Sequence, residues 1–280
     1  MDSSIPASER SPDRLRAHYE IEKELAARLR LASKDQRRHL YSELYDELFR
    51  RVPDHPQLVA KSGSKGVGRN LDIEMKLLEP VLNGSTTFME VGPGDCALSL
   101  RVAAVAKRVY AVDVSDEITK SSITPSNFSL ALSDGCSIPV PVNSVNVAFS
   151  NQLMEHLHPD DAYEQLKNIY RVLAPAGVYV CITPNKLNGP HDISMYFDQT
   201  ATGFHLHEYT VSELHRLFKD VGFSKVRIVI GGKGLHFTVP VFLSTICERI
   251  LTVLPHTLRR NLAGSVPFRN MLEIRFFGYK

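Results

Sequence analysis

Hydrophobic and polar positions follow two rhythms along this chain. The first stretch is helical. Residues 1–12 are polar and predict disorder, Asp13 to about Ser33 reads as a charged helix, and Asp35–Arg51 as a second. The second helix puts Leu40, Tyr41, Leu44, Tyr45, Leu48 and Phe49 on one face at helical spacing. This 13–60 extension is expected to form a lid or oligomer contact laid on the rest of the chain, or to cover its core. From Thr86 the rhythm changes to short apolar, β-rich runs separated by helical segments. Strands are predicted at Thr86–Val91, Arg108–Val114, Phe128–Leu132, Val145–Ser150, Val178–Thr183, Lys225–Ile230 and Met271–Tyr279. Helices are predicted at Leu71–Leu82, Ala97–Ala106, a short one opening at Asp116-Glu117, Asp160–Leu173, and one from the Thr210/Glu213 capping box to Asp220. Alternating strands and helices imply an α/β fold, a doubly wound Rossmann-like sheet of seven strands.

Residues 231–270 are too long for a hairpin between the last two strands. Phe242, Ile246, Ile250 and Leu254 mark one helical face, flanked by Arg249, Arg259 and Arg260. A helical insertion at 233–270 is therefore expected, either packed on the domain or capping it to dock a lipid-linked acceptor or a membrane surface. The apolar run 237–254 is interrupted by Pro240 and Glu248-Arg249, which argues against a membrane-spanning helix. The core then comprises 61–232 and 271–280.

The first predicted strand runs into Gly92-Pro93-Gly94-Asp95-Cys96 and then a helix. Two glycines one residue apart let the backbone turn sharply and approach a ligand, while the helix start offers unpaired N–H groups. The spacing to Ala97 also passes the loose dinucleotide pattern. Asp113 closes the second strand, where a carboxylate is placed for both ribose hydroxyls of either a dinucleotide or another adenosine cofactor. Asp134-Gly135 follows the third strand, and Asn151 ends the fourth, at the strand ends where ligands of open α/β sheets bind.

The stretch from Phe88 to Cys96 resembles motif I of the class I S-adenosylmethionine-dependent methyltransferases, whose acidic residue precedes Gly-x-Gly by two positions. Glu90 matches that acid, although Cys96 stands where many members have a third glycine. Further on, Ile138–Leu157, ending in Leu153-Met154-Glu155-His156, and Arg171–Gly177 are similar to the family's signatures, with Asn143 and Asn146 replacing the usual acids. The resemblance covers about residues 70–232 and points to the small-molecule, type-11-like branch. It implies strands six and seven as a reversed hairpin with strand seven antiparallel, S-adenosyl-L-methionine as cofactor, and direct displacement of the methyl group onto a small-molecule, glycan or lipid-linked acceptor. Glu90, Gly92, Pro93 and Gly94 would hold the methionine end. Asp113 and Val114 would meet the ribose, and Asp134, Gly135 and Cys136 the adenine. Asn151 lies at the reaction end. The segment before motif I often folds over the cofactor in this family, so Lys65 or Arg69, in the basic Gly-rich loop Lys61–Arg69, would meet its carboxylate. A sulfonium and an ammonium suit Glu90 and Asp95; a pyrophosphate does not.

His156 is the first candidate for a base, because imidazole titrates near neutrality. His191, His205 and His207, on the long loop where acceptors approach in relatives, come next. Their spacing with Asp192 and Glu208 matches no standard ligand pattern, so no metal is expected. A net charge of +2 without basic blocks gives no reason to expect a nucleic-acid partner. Four scattered cysteines and a polar start that is not a signal peptide predict a cytoplasmic protein with reduced thiols. Two other classes remain open: an NAD(P)-dependent dehydrogenase, which leaves Glu90 and Asp134 unexplained, and a non-catalytic binding protein on the same fold.

Overall fold

The computed structural model describes residues 10–55, 64–115, 124–232 and 235–280. Of the disorder expected over residues 1–12, residues 1–9 lie outside them, as do Lys61–Gly63 of the predicted loop and the predicted helix start at Asp116; residues 10–12 are ordered instead, because Ser11 caps a first helix that begins at Pro12.

Helices α1 (Pro12–Leu31) and α2 (Lys34–Arg51) open the chain. Ser11 accepts from the Arg14 amide at the start of α1, and Ser33 with Gln36 forms a capping box for α2. Both helices contribute to the main core. Leu25, Leu29, Tyr41, Leu44 and Leu48 are buried in one cluster with Val91, Ala148, Tyr179 and Phe218 of the sheet domain. Their docking is also polar. The Arg37 guanidinium grips Asp161 with two bonds of 2.5 and 2.8 Å, and the Tyr41 hydroxyl donates to the same carboxylate at 2.7 Å.

Helix α3 (Ser64–Leu78) follows, then β1 (Thr87–Val91), α4 (Ala97–Ala103), β2 (Arg108–Asp113), β3 (Phe128–Leu132), β4 (Val145–Asn151), α5 (Pro159–Val172) and β5 (Leu173–Thr183). The later elements are α6 (Val211–Val221), β6 (Lys225–Gly232), β7 (Leu235–Pro240), α7 (Val241–Thr252), α8 (His256–Gly264), α9 (Val266–Leu272) and β8 (Ile274–Tyr279). The sheet order is β3-β2-β1-β4-β5-β8-β6-β7. Strands β1 to β5 pair in parallel, and β8 is antiparallel to both β5 and β6. Burial on both faces explains the continuous apolar runs of β1 and β4. A second cluster, including Leu78, Phe88, Val102 and Phe149, fills the face under α3 and α4.

Two further expectations are corrected. Residues 64–69 are not loop but the first turns of α3, which begins seven residues before the expected Leu71. The insertion is not purely helical, because β7 pairs antiparallel with β6 and makes an eighth strand. Its Phe, Thr and Val favour a pleated edge, and β6 presents an unpaired edge to receive it. No helix of the described residues is long and apolar enough to cross a membrane.

Candidate functional site

The carboxyl ends of β1, β2, β3 and β4 gather the predicted cofactor residues along one edge of the sheet. Gly92, Gly94 and Cys96 all have positive φ, near +60° to +70°, and this tight turn delivers the chain into α4. The two glycines differ in their surroundings. A Cβ on Gly92 would sit 3.0 Å from the Leu153 side chain, whereas one on Gly94 would meet nothing within 4 Å. Gly94 thus keeps backbone open toward space a ligand can use, and Gly92 allows close packing against the segment after β4. Pro93 accepts the Cys96 amide at 3.0 Å, and Asp95 accepts that of Ala97 at 3.0 Å.

Glu90 is buried at 6% exposure and accepts a 2.5 Å bond from the Ser99 hydroxyl. Burial pushes its carboxyl up to about 8; the Ser99 bond opposes this, while Glu74 and Asp95 add like charge. Glu74, on α3, also lies above the ordinary range through burial, despite a 2.6 Å bond from the Asn151 amide group. Three acids therefore converge where β1 and β4 end. Among the described residues, no arginine or lysine forms an ion pair with Glu74, Glu90 or Asp95. Neither Glu74 nor Ser99 stands out in sequence, since each is one polar residue on a helix.

Asp113 bonds its own turn, accepting the Val114 amide at 2.7 Å and that of Ser115 at 3.3 Å. The Ser133 amide donates to the Asp113 carbonyl at 2.8 Å, which joins the β2 and β3 ends. Asp134 Oδ1 accepts from the Cys136 and Ser137 amides at 3.0 and 2.7 Å, while Arg38 of α2 lies 3.6 Å from Oδ2. Burial raises the Asp134 carboxyl, but these donors and Arg38 outweigh it and hold it below its ordinary value. Gly135 packs under Tyr41 of α2, 3.0 Å from where a Cβ would stand, and Gln165 bonds its carbonyl at 2.7 Å. Arg38 and Tyr41 were not legible as site residues, because only docking of α2 brings them there. Lys65 and Arg69 lie on α3, and their side chains fall outside the described residues.

The candidate catalytic histidines collect beside β4 and β5. His156 closes the short 3-10 turn Met154–His156. Its Nδ1 is 3.1 Å from the Phe204 carbonyl and 2.9 Å from the Tyr45 hydroxyl. A carbonyl only accepts, so the neutral ring's proton is assigned to Nδ1, leaving the lone pair on Nε2. Burial pulls His156 down to about 3, with His205 adding to the effect. The two rings meet edge-on with centroids 4.8 Å apart. Burial would lower His205 as well, but a 2.8 Å bond to Glu208, with Glu155 and Asp192 nearby, lifts it to about 9. Glu208 also accepts the His191 amide at 2.7 Å. His207 is not part of this group: its ring lies against Tyr209, with Glu213 at 4.0 Å. A base works best with a pKa near the working pH, and neither His156 nor His205 has one in this state.

The glycine turn at the end of β1 thus sits among the buried Glu90, the half-buried Glu74 and the exposed Asp95, with Asp113 ending β2 and Asp134 following β3. Residues 89–181, the segment from β1 into β5, match the model of a methyltransferase domain. A protein of Mycolicibacterium smegmatis named as a probable S-adenosylmethionine-dependent methyltransferase is 31% identical over 137 residues. That match takes in 48% of this chain and 51% of the relative, so the chain spans about half the length of the curated relative it matches. Among solved structures, a SAM-dependent methyltransferase from Archaeoglobus fulgidus is 18% identical with a TM-score of 0.49, covering 86% of this chain and all of its own. One from Aquifex aeolicus is 21% identical with a TM-score of 0.44, covering 57% of this chain and 82% of its own.

Proposed function

We propose that this protein transfers the methyl group of S-adenosylmethionine to its acceptor by direct displacement. The observation that carries this reading is the buried Glu90 with its like-charged neighbours Glu74 and Asp95. Such a site gains from a ligand bearing positive charge, as a sulfonium and an ammonium do, and opposes a pyrophosphate. Glu90, Glu74 and the Gly92–Gly94 turn would hold the methionine end, Asp113 and Val114 the ribose, and Asp134, Gly135 and Cys136 the adenine. Asn151, held by Glu74, would lie at the reaction end. Lys65 and Arg69 are retained as candidates for the cofactor carboxylate. The chain's main contribution is alignment of acceptor, methyl carbon and sulfur.

The acceptor is proposed to be lipid-linked. Phe242, Ile246 and Ile250 turn an apolar row outward from α7, with Val253 at its C-cap, at 49% to 82% exposure, and Phe237 of β7 is exposed as well. Helix α7 is fastened beside the loop after β5, because Glu248 accepts from Asn185 and from the Val211 and Ser212 amides. A contiguous apolar row next to a site is characteristic of a lipid or membrane contact. Four buried cysteines, with no disulfide among them, support a cytoplasmic placement.

A thermal melt with S-adenosylhomocysteine, and separately with NAD and NADP, tests the cofactor. The homocysteine product at a hundredfold its dissociation constant stabilises by about 2.7 kcal/mol, a rise on the order of 5 to 10 °C for a domain of this size. A shift with NAD alone overturns the reading in favour of a dehydrogenase.

A further inference from the structure

Glu155, His156 and His205 each place one ligand atom within 4.8 Å of the other two. They come from the turn after β4 and the loop after β5, so the fold and not the local sequence brings them together. Glu155 is fully buried. Its Oε2 accepts from Thr183 at 2.9 Å, but Oε1 has no hydrogen-bond partner. A buried carboxylate oxygen left without a donor is costly, and native sites rarely keep one without a purpose.

The two rings are held in a manner that suits ligation. His156 donates from Nδ1 to the Phe204 carbonyl, and His205 from Nδ1 to Glu208, which the His191 amide holds in turn. Metal-binding histidines commonly donate their second ring nitrogen to a carbonyl or carboxylate in this way, which fixes the tautomer and leaves Nε2 for the ion. Two imidazole nitrogens and one carboxylate oxygen form a donor set suited to first-row divalent metals, with further positions open.

A second trio, His18, Glu22 and His55, shows what a satisfied cluster looks like. His18 Nε2 bonds Glu22 Oε1 at 2.7 Å, Arg10 bonds His18 Nδ1 at 2.9 Å, and the Phe204 amide reaches Glu22 Oε2 at 3.3 Å. Its hydrogen bonds account for both carboxylate oxygens, and it reads as a polar knot tying α1 to the long loop.

We propose that Glu155, His156 and His205 form a binding site for a divalent first-row transition metal on the acceptor side of the domain. An acceptor hydroxyl bound in an open position would lose its proton to solvent more readily. Its oxygen would then form the new bond to the methyl carbon as the carbon–sulfur bond breaks, releasing neutral S-adenosylhomocysteine. That use of the ion rests on the methyl-transfer reading; binding of the ion does not.

The test is titration of the chelator-treated full chain with Co2+, followed by its visible absorption, with Zn2+ as competitor. One equivalent should bind and be displaced by Zn2+. The variants Glu155→Gln and His205→Gln should each weaken binding by more than about a hundredfold, since loss of an outer-shell partner alone costs about 10- to 100-fold, while His18→Gln should leave it unchanged. Far-ultraviolet dichroism without metal checks that each variant folds, and if Glu155→Gln does not, His205→Gln alone decides. Absence of a Co2+ spectrum, its persistence in His205→Gln, or its loss in His18→Gln overturns the site. Calorimetry with S-adenosylhomocysteine on metal-free protein separates the two readings. Cofactor binding without Co2+ binding removes only the metal site, and Co2+ binding without cofactor binding supports the metal site while removing the methyl-transfer reading.

Discussion

Replacing Glu90 by Gln tests the electrostatics of the glycine turn directly. Glu90 titrates near its ordinary 4.5 in the unfolded chain and at about 8 in the fold. Its folded value is raised, and the acid is neutral when protonated, so the native state holds this proton over a window where the unfolded state has lost it. Stability therefore falls as pH rises from 4.5 toward 8 and is level outside that window. At about 1.4 kcal/mol per pH unit, the full rise amounts to about 5 kcal/mol. Glu90→Gln carries no charge at any pH and should lose this slope. Urea unfolding of both proteins at pH 5, 6.5 and 8 measures it. The difference should grow with pH until the variant is the more stable protein by several kcal/mol at pH 8. Parallel stability curves for the two proteins would refute the assignment of a buried, proton-holding acid. A cationic ligand should also draw Glu90 into its charged form, so S-adenosylmethionine should bind more tightly as pH rises toward 8, with release of about one proton. Calorimetry in buffers of different ionisation enthalpy reads that release, and no proton release below pH 8 would count against the cofactor's charge being matched there.

Three further outcomes follow from the same geometry. Gly94→Val should strain a positive-φ position by about 1–2 kcal/mol and fill open space at the turn; S-adenosylhomocysteine affinity should fall more than that strain explains, and an unchanged dissociation constant would exclude the turn from the site. Asp161→Asn leaves the buried Arg37 with only the exposed Asp160, at 4.0 Å, as a charged partner, and urea unfolding should show a loss of about 3–5 kcal/mol; a neutral result would mean that the Arg37–Asp161 pair contributes little to the docking of α2. Replacing Phe242, Ile246 and Ile250 together by Asp should abolish co-sedimentation with anionic lipid vesicles while leaving the melting temperature nearly unchanged, because these side chains are exposed. Retained co-sedimentation would remove α7 from any membrane contact.

The sequence by itself determined the α/β alternation, the place of the glycine turn, and the acids at the ends of the first three strands. These are local facts: a strand's apolar run, a left-handed turn and a capping box such as Thr210 with Glu213 depend on neighbours a few residues away. The exposed row on α7 was also visible as a helical face, although whether it packed inward could not be read from spacing. Tertiary structure decided the rest. The strand at Leu235–Pro240 exists because β6 offered an edge to pair with, and a propensity pattern does not include a distant edge. Glu74, Ser99, Arg38 and Tyr41 entered the site through helix docking over separations that no local motif encodes. Charge states belong to the same category. His156 and His205 are the same residue type with the same unperturbed tendency, yet burial takes one down to about 3 and Glu208 takes the other up to about 9. Sequence names the ionisable group, whereas the dielectric and the partners that set its proton are properties of the packed molecule.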